Sequence, residues 1–464
     1  MGKQTKTGSK LSGKLINSFL LPNIGQSLFI QLELVYMSYF LTDLCGFDLG
    51  VVTFILTSTA AVDLVWVFVT GIVIEKCEFR KLGKYRAWYI ICTPVILVFF
   101  TLMFFDAGNS AAAAGMVVIA FCIKTLFQDI ISAAVTGHIS QVTDDPNTRT
   151  LLSARRNQGA IIGQLLFSVI GIPCITMFGK AVGSDSMGYT IAAAFFCVIN
   201  LIVNYIMFVM TKDAPIAATE KIAQGSKLSV GEMFGVLFRN KPLLVISFGD
   251  LLRYTAIFLV SSTAAYFFDN VLKDSGALSI YMTIQTVTGV IGALVVNQIA
   301  KRMGKKAIYC LCTLVYGGIL TLMFFLAGEG RTTMFIVFMA VAFFFNSMIG
   351  TVVTAMTTDT VIYTMWKDGK NARGFIMSML NIPIKFGSMI KSIILPVGLS
   401  AIGYVAGQAA SPAVAKGLSG IMCLASGICV LLSCVIIFCG YHLTEKKVTE
   451  LTEIVEKRQA EKHE

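Results

Sequence analysis

Arg80-Lys81-Leu82-Gly83-Lys84 stands between two apolar runs, and its pattern returns 221 residues later as Lys301-Arg302-Met303-Gly304-Lys305. A second pair, Asn147-Thr148-Arg149 and Asn371-Ala372-Arg373, lies 224 residues apart. Two basic turns recurring at nearly one offset argue for duplication of a unit about half the chain long. Outward from these turns the sequence is apolar. About 20 such residues cross a bilayer as a helix. Twelve stretches qualify: 15–42, 48–74, 87–105, 111–136, 158–178, 188–211, 243–269, 276–299, 307–327, 333–362, 375–403 and 418–441. A β-barrel would instead show short alternating segments. The reading is an all-α membrane protein of twelve transmembrane helices in two pseudo-symmetric six-helix bundles.

Composition agrees. Of 464 residues, 56% are hydrophobic and 14% charged, against about 25% charged in a soluble chain. This excludes a cytosolic enzyme, a secreted disulfide scaffold and a disordered chain. The net charge of +11 suggests a nucleic-acid partner until its distribution is read. On these boundaries 29 of 37 basic residues fall in alternate loops and the two ends, Arg149, Arg155 and Arg156 among them. The opposite loops hold Lys180, Lys273, Arg331 and Lys416. That asymmetry is the positive-inside rule, with both termini cytoplasmic in a plasma (inner) membrane. The domains follow as 1–211, a linker 212–240 with an amphipathic run near 230–237, 241–442, and a tail 443–464 forming a surface helix. The twelve cysteines are scattered without C-x-x-C spacing and read as small buried hydrophobes. No P-loop, H-E-x-x-H or G-x-S-x-G is present, so no catalytic residue is expected and the chain is not read as an enzyme. His138 is expected at the surface or in a loop.

Ionisable residues inside spans are costly and face a wet cavity or a partner. They are Glu33, Asp63, Lys124, Asp129, Asp250, Arg253, Asp359, Lys385 and Lys391. Thr59, Asp63, Trp66 and Thr70 share one helical face, suited to a monovalent cation or a proton. Lys124, Gln128, Ser132 and Thr136 repeat every four residues as one stripe, with Asp129 beside it. Asp250 and Arg253 are spaced to pair on one helix, and Arg253 could equally meet an anionic substrate. Lys385 stands beside Pro383 and Gly387 and can reach a cavity or an acid on another helix. Glu33 and Lys391 each have a cavity-facing or snorkelling reading and a paired one. Trp66, Tyr36 and Tyr254 could stack on a sugar ring, though packing explains them as well.

The two basic-turned halves resemble the major facilitator architecture. Within it, the run Asp359-Thr-Val-Ile-Tyr363-Thr-Met-Trp366-Lys367-Asp-Gly369-Lys370-Asn-Ala-Arg373-Gly374 resembles the glycoside–pentoside–hexuronide:cation symporters. So do Thr42-Asp43, Arg80 to Trp88, Thr143 to Arg149, and Lys385-Phe-Gly387. The resemblance implies a substrate site near the midplane between the halves, and a cation site on spans two and four. Asp63 matches the family's first span-two acid, while Val67 stands where a second acid is frequent. Asp129 is expected to replace that carboxylate. The sugar-binding acids of melibiose-type members correspond here to Ser27 and Ser132. Loss of two acids with retention of Lys124, Arg253 and Lys385 favours a substrate carrying negative charge, such as a glucuronide or sulfonated sugar.

The expected function is cation-coupled symport of a sugar or glycoside. Asp63, Asp129 and Thr59 would hold Na+ or H+, with no other metal or cofactor. Ser27, Ser132, Lys124, Lys385, Arg253 and Trp66 would face substrate, and Arg149, Asp359 and Arg373 would form a cytoplasmic gate. The partners are the small sugar or glycoside, the monovalent cation and the lipid bilayer, with no nucleic acid, in a monomer. The alternatives are a lysolipid-type flippase, an uncoupled facilitator and a transporter-like sensor.

Overall fold

The structure is a computed structural model that describes residues 11–460 except 78, 80, 81, 144, 213, 215–237, 370–375, 378 and 409. Its regular elements, among the described residues, are all helices. They are α1 Gly13–Ser18, α2 Leu21–Tyr39, α3 Leu49–Lys76, α4 Arg86–Met103, α5 Ala111–Val142, α6 Pro146–Val182, α7 Asp185–Met210 and α8 Lys241–Asn270. There follow α9 Ala277–Met303, α10 Lys305–Leu326, α11 Thr332–Asp368, α12 Asn381–Ala401, α13 Pro412–Ser419, α14 Ser426–Gly440 and α15 Glu445–Ala460. A widened turn, Phe40–Leu44, extends α2, and another, Gly420–Ala425, joins α13 to α14.

Eleven helices among the described residues are long and apolar enough to span a membrane. The twelfth span is α2, diluted by Pro22, Asn23, Gln26, Gln31 and Glu33. The fold is an all-helical membrane architecture of two pseudo-symmetric six-span sets. The repeat is visible in the packing: α4 lies on α7 in the first set, as α10 lies on α14 in the second.

Several boundaries differ from expectation. The first span is broken, with α1 ending at Ser18 and α2 starting at Leu21. The fifth span begins at Pro146, twelve residues earlier than read. Asp145 caps it by accepting from the Thr148 N–H at 2.8 Å, and Pro146 takes the first position, where its missing N–H costs nothing. Arg149, Arg155 and Arg156 are therefore helical rather than loop residues.

By compactness the chain divides into two units that cut across the sequence halves. The first comprises Met1–Leu32, Asp63–Phe105 and Gly115–Gly225. Here α6 meets the backbone of the first span at two glycines, Gly159-Ala-Ile-Ile-Gly163. A Cβ on Gly159 would lie 2.1 Å from the Leu20 carbonyl oxygen, and one on Gly163 would lie 2.5 Å from that of Ile24. This small-xxx-small spacing lets helices approach closely where apolar burial gives no drive. Arg86, just past the first basic turn, donates to the Phe208 carbonyl at 2.7 Å and the Thr211 hydroxyl at 3.2 Å, neutralising the last carbonyls of α7.

The second unit comprises Glu33–Val62, Asp106–Ala114 and Ser226–Glu464. The Ser262 hydroxyl on α8 donates to the Leu34 carbonyl at 2.9 Å. Thr42 hydrogen-bonds the Tyr266 hydroxyl at 2.8 Å and donates to Asp43 at 2.6 Å. Tyr404 donates to the other Asp43 oxygen at 2.5 Å. These bonds explain why the end of the first span is grouped with α8 and α12. The tail helix α15 lies on α11. Leu451 and Val455 are buried, and Val448 packs against the core around Leu443 and Tyr441. The Glu445 carboxylate accepts the Lys305 backbone N–H at 2.6 Å, capping α10. Arg458 donates to the Trp366 carbonyl at 3.0 Å. The tail is thus a docked helix through residue 460. The amphipathic run expected near 230–237 lies outside the described residues.

Candidate functional site

The polar residues of the first unit gather on α2, α5 and α6. The four-residue spacing on α5 places Lys124, Gln128, Ser132 and Thr136 in one line, as expected. At its lower end stands Arg156 of α6. Its guanidinium donates to the Thr136 hydroxyl at 2.6 Å, the Ser132 hydroxyl at 3.1 Å and the Asn23 side-chain carbonyl at 3.4 Å. Ser27, one turn beyond Asn23, lies against Gly163. Among the described residues no carboxylate lies within ion-pair distance of Arg156. Its partners are neutral oxygens, and it is half-buried.

At the upper end Lys124 is only 1% exposed. Its ammonium donates to Gln128 at 3.0 Å and lies over the Phe121 and Phe100 rings, 5.0 and 5.7 Å from their centroids. Asp63 on α3 and Asp129 on α5 are both half-buried members of this unit. Thr59 is buried on the same helix as Asp63 but belongs to the second unit, and its hydroxyl donates to the Ile55 and Leu56 carbonyls. Trp66 donates its indole N–H to the Cys122 carbonyl at 2.9 Å, which anchors α3 to α5.

His138 corrects the sequence expectation. It is 1% exposed within α5, hydrogen-bonded to the Tyr89 hydroxyl at 3.0 Å and tilted against Phe19. The helix runs to Val142, six residues beyond the expected end, and carries the imidazole into the packed interior.

In the second unit Asp250 and Arg253 compensate one another. Arg253 Nε donates to Asp250 at 2.6 Å, with side chains 4% and 3% exposed. Asn346 accepts from the same guanidinium at 3.3 Å, and the Tyr254 ring lies 4.4 Å away. Tyr254 is thereby a packing partner of Arg253. Glu33 acts electrostatically on the buried Lys391. Lys385 is half-buried on α12. Asp359 binds Lys305, the last residue of the second basic turn, through both carboxylate oxygens at 2.7 and 2.5 Å. Arg149, in the first turn of α6, reaches back to the end of α5, donating to the Thr143 carbonyl at 2.7 Å and to that of Ser140 at 3.4 Å. Arg373 lies outside the described residues.

The residue that sequence reasoning missed is Arg156. The Asp145-Pro146 pair was its available signal, because a capping acid followed by proline marks a helix start. With the helix begun there, Arg156 falls within its third turn and cannot be a loop residue.

Residues 18–445 match the family described as MFS/sugar transport protein. The chain belongs to that family. It is a multi-pass membrane transporter of the sugar-transport type, not an enzyme. A Salmonella typhimurium protein named "Putative sulfoquinovose importer" is 27% identical, with 94% of this transporter and 91% of the relative covered. The isoprimeverose transporter of Lactiplantibacillus pentosus is 25% identical over 85% and 81% of the two chains. The glucuronide carrier protein homolog of Escherichia coli is 23% identical over 97% and 96%. Among solved structures, the nucleoside transporter NupG superposes with a TM-score of 0.63 at 14% identity, covering 92% of this transporter and 100% of NupG. A bacterial homolog of the lysosomal transporter Spinster superposes with 0.66 at 9% identity, over 94% and 97%. These two likenesses bear on the fold alone.

Proposed function

We propose that this protein is a cation-coupled importer of an anionic sugar or glycoside, and that Arg156 receives the negative group. The supporting observation is the environment of that guanidinium. It is held by hydroxyls and an amide oxygen, so its charge is oriented but not cancelled. Arginine's planar fork matches a carboxylate or sulfonate through paired hydrogen bonds. Asn23, Ser27 and Ser132 supply neutral polar groups to sugar hydroxyls, where an acid would repel an anionic substrate. A relative named for sulfoquinovose and another named for glucuronide carry anionic sugars in their names, which agrees with this reading.

Asp63 and Asp129 hold the coupling ion, Na+ or H+. Coupling follows when ion and sugar prefer the same conformation, so that each biases one equilibrium. The protein acts as a monomer in a plasma (inner) membrane with both termini cytoplasmic, and residues 1–211 and 241–442 serve as its two functional halves.

The test is uptake into proteoliposomes of a sulfonated sugar, a glucuronide and a neutral glucoside, with and without an inward Na+ or proton gradient. Gradient-driven accumulation of an anionic sugar, lost in Asp129→Asn, is the expected result. Accumulation of the neutral glucoside alone, or uptake indifferent to both gradients, would overturn the proposal.

A further inference from the structure

Beside the Arg156 cluster the first unit holds a second polar place. Pro22, Gln26 and Phe29 of α2, Ile96 of α4, Ile131 and Val135 of α5, and Asn200 and Asn204 of α7 surround a cavity of about 10 Å³. Most of its wall is buried: Phe29, Ile96 and Asn204 are 0% exposed and Asn200 is 2%, while Gln26 is half-buried. Three carboxamides therefore share one small space inside an apolar bundle.

Their hydrogen bonds do not close among themselves. The Asn204 amide donates to both the Asn200 carbonyl at 2.8 Å and the Asn200 side-chain oxygen at 2.9 Å. The Asn204 side-chain oxygen then has no partner among the described residues although it is fully buried. Leaving such a group unpaired in an apolar interior is costly. Relaxation cannot pull the helices apart cheaply here. At Gly25 a Cβ would already stand 2.7 Å from both the Cα and the side-chain oxygen of Asn200, so α2 and α7 are in backbone contact.

We infer that this cavity is a binding site for one internal water molecule, bridging Gln26 of the first span to Asn204 of the sixth. One water needs a volume of about 10–15 Å³ and two to four polar partners. It donates to the Asn204 oxygen and to the second lone pair of the Asn200 oxygen, and it accepts from the Gln26 amide. The donor set is neutral throughout. A bare monovalent cation would lose its hydration shell there with no carboxylate to compensate.

Radiolytic footprinting of the full-length protein in nanodiscs tests this. Radicals formed from a bound water oxidise the side chains beside it, and Phe29 is out of reach of bulk solvent. The expected result is oxidation of Phe29 in the wild type. It falls to background in Asn204→Leu and in Gln26→Leu, while exposed Phe105 is labelled as before. An unlabelled wild-type Phe29 would overturn the inference without any variant having to fold, and so would labelling that persists in both variants. Thermal unfolding in sodium chloride and in choline chloride forms the second arm. The difference between the two midpoints is expected to be the same in wild type and Asn204→Leu, because sodium held at Asp63 and Asp129 would be held in both. A rise in sodium that disappears in Asn204→Leu would make the occupant a cation and overturn the assignment of water.

Discussion

Tyr404 donates its phenolic hydrogen to Asp43 across 2.5 Å, joining two residues 361 positions apart. Burial raises the Asp43 carboxyl above its ordinary value, with bonds from Thr42 and Tyr404 pulling it back and nearby Asp269 pushing it further up. Folded Asp43 therefore binds its proton more tightly than the unfolded chain does. Below the ordinary carboxylate range both forms are protonated and the site carries no ionic penalty. The penalty enters as pH rises through the unfolded value toward the raised one.

Removing a donor to the carboxylate makes that penalty larger. Tyr404→Phe is expected to lower the thermal midpoint at pH of about 7, and the gap from wild type should narrow as the pH falls toward the ordinary carboxylate range and the folded carboxyl takes up its proton. A gap that stays constant across that range would show that Tyr404 acts by packing alone.

The Asp250–Arg253 pair is the second target. Removing one member of a buried pair leaves an uncompensated charge at a cost of about 3–5 kcal/mol, whereas replacing both is frequently neutral. Asp250→Asn and Arg253→Met should each unfold at markedly lower temperature in detergent, and the double variant should recover most of the loss. Failure of the double variant to recover would mean that Arg253 is needed for something other than balancing Asp250.

Glycine spacing on α6 gives a third expectation. Gly159→Ala drives a methyl group to 2.1 Å from the Leu20 carbonyl, a contact that must be relieved by shifting the first span. Overpacking of this kind costs about 1–3 kcal/mol. Gly115→Ala, with nothing within 4 Å of the new carbon, should be neutral or slightly stabilising. Comparing the two melting curves checks the point.

Arg156 supplies the fourth. Arg156→Lys keeps the charge and loses the planar fork. Affinity for an anionic glycoside should fall about tenfold, equivalent to ~1.4 kcal/mol, while a neutral glycoside should bind as before. Isothermal titration with the two ligands separates these outcomes, and equal loss for both would remove Arg156 from anion recognition.

Much of this architecture could be read before any coordinates. Apolar runs of bilayer length announce spans because lipid permits little else, and the stripe from Lys124 to Thr136 follows from helical periodicity alone. The Asp250–Arg253 pair was legible because its partners are three residues apart. Other features carried no local signal. Nothing in the neighbourhood of Asp43 points to Tyr404, and nothing near Asp359 singles out Lys305 among many lysines. His138 lies beyond an apolar run that stops at residue 136, yet α5 continues to Val142. A helix continues for as long as its backbone bonds are satisfied, and polar residues can ride its last turns into a packed interior.

The docking of α15 has a consequence for how the molecule is protected. That helix supplies the acceptor that caps α10 and apolar side chains that cover the core around Tyr441. Loss of residues 445–460 would lay that apolar patch bare to proteases and chaperones, so the cover and the core beneath it survive or fail together.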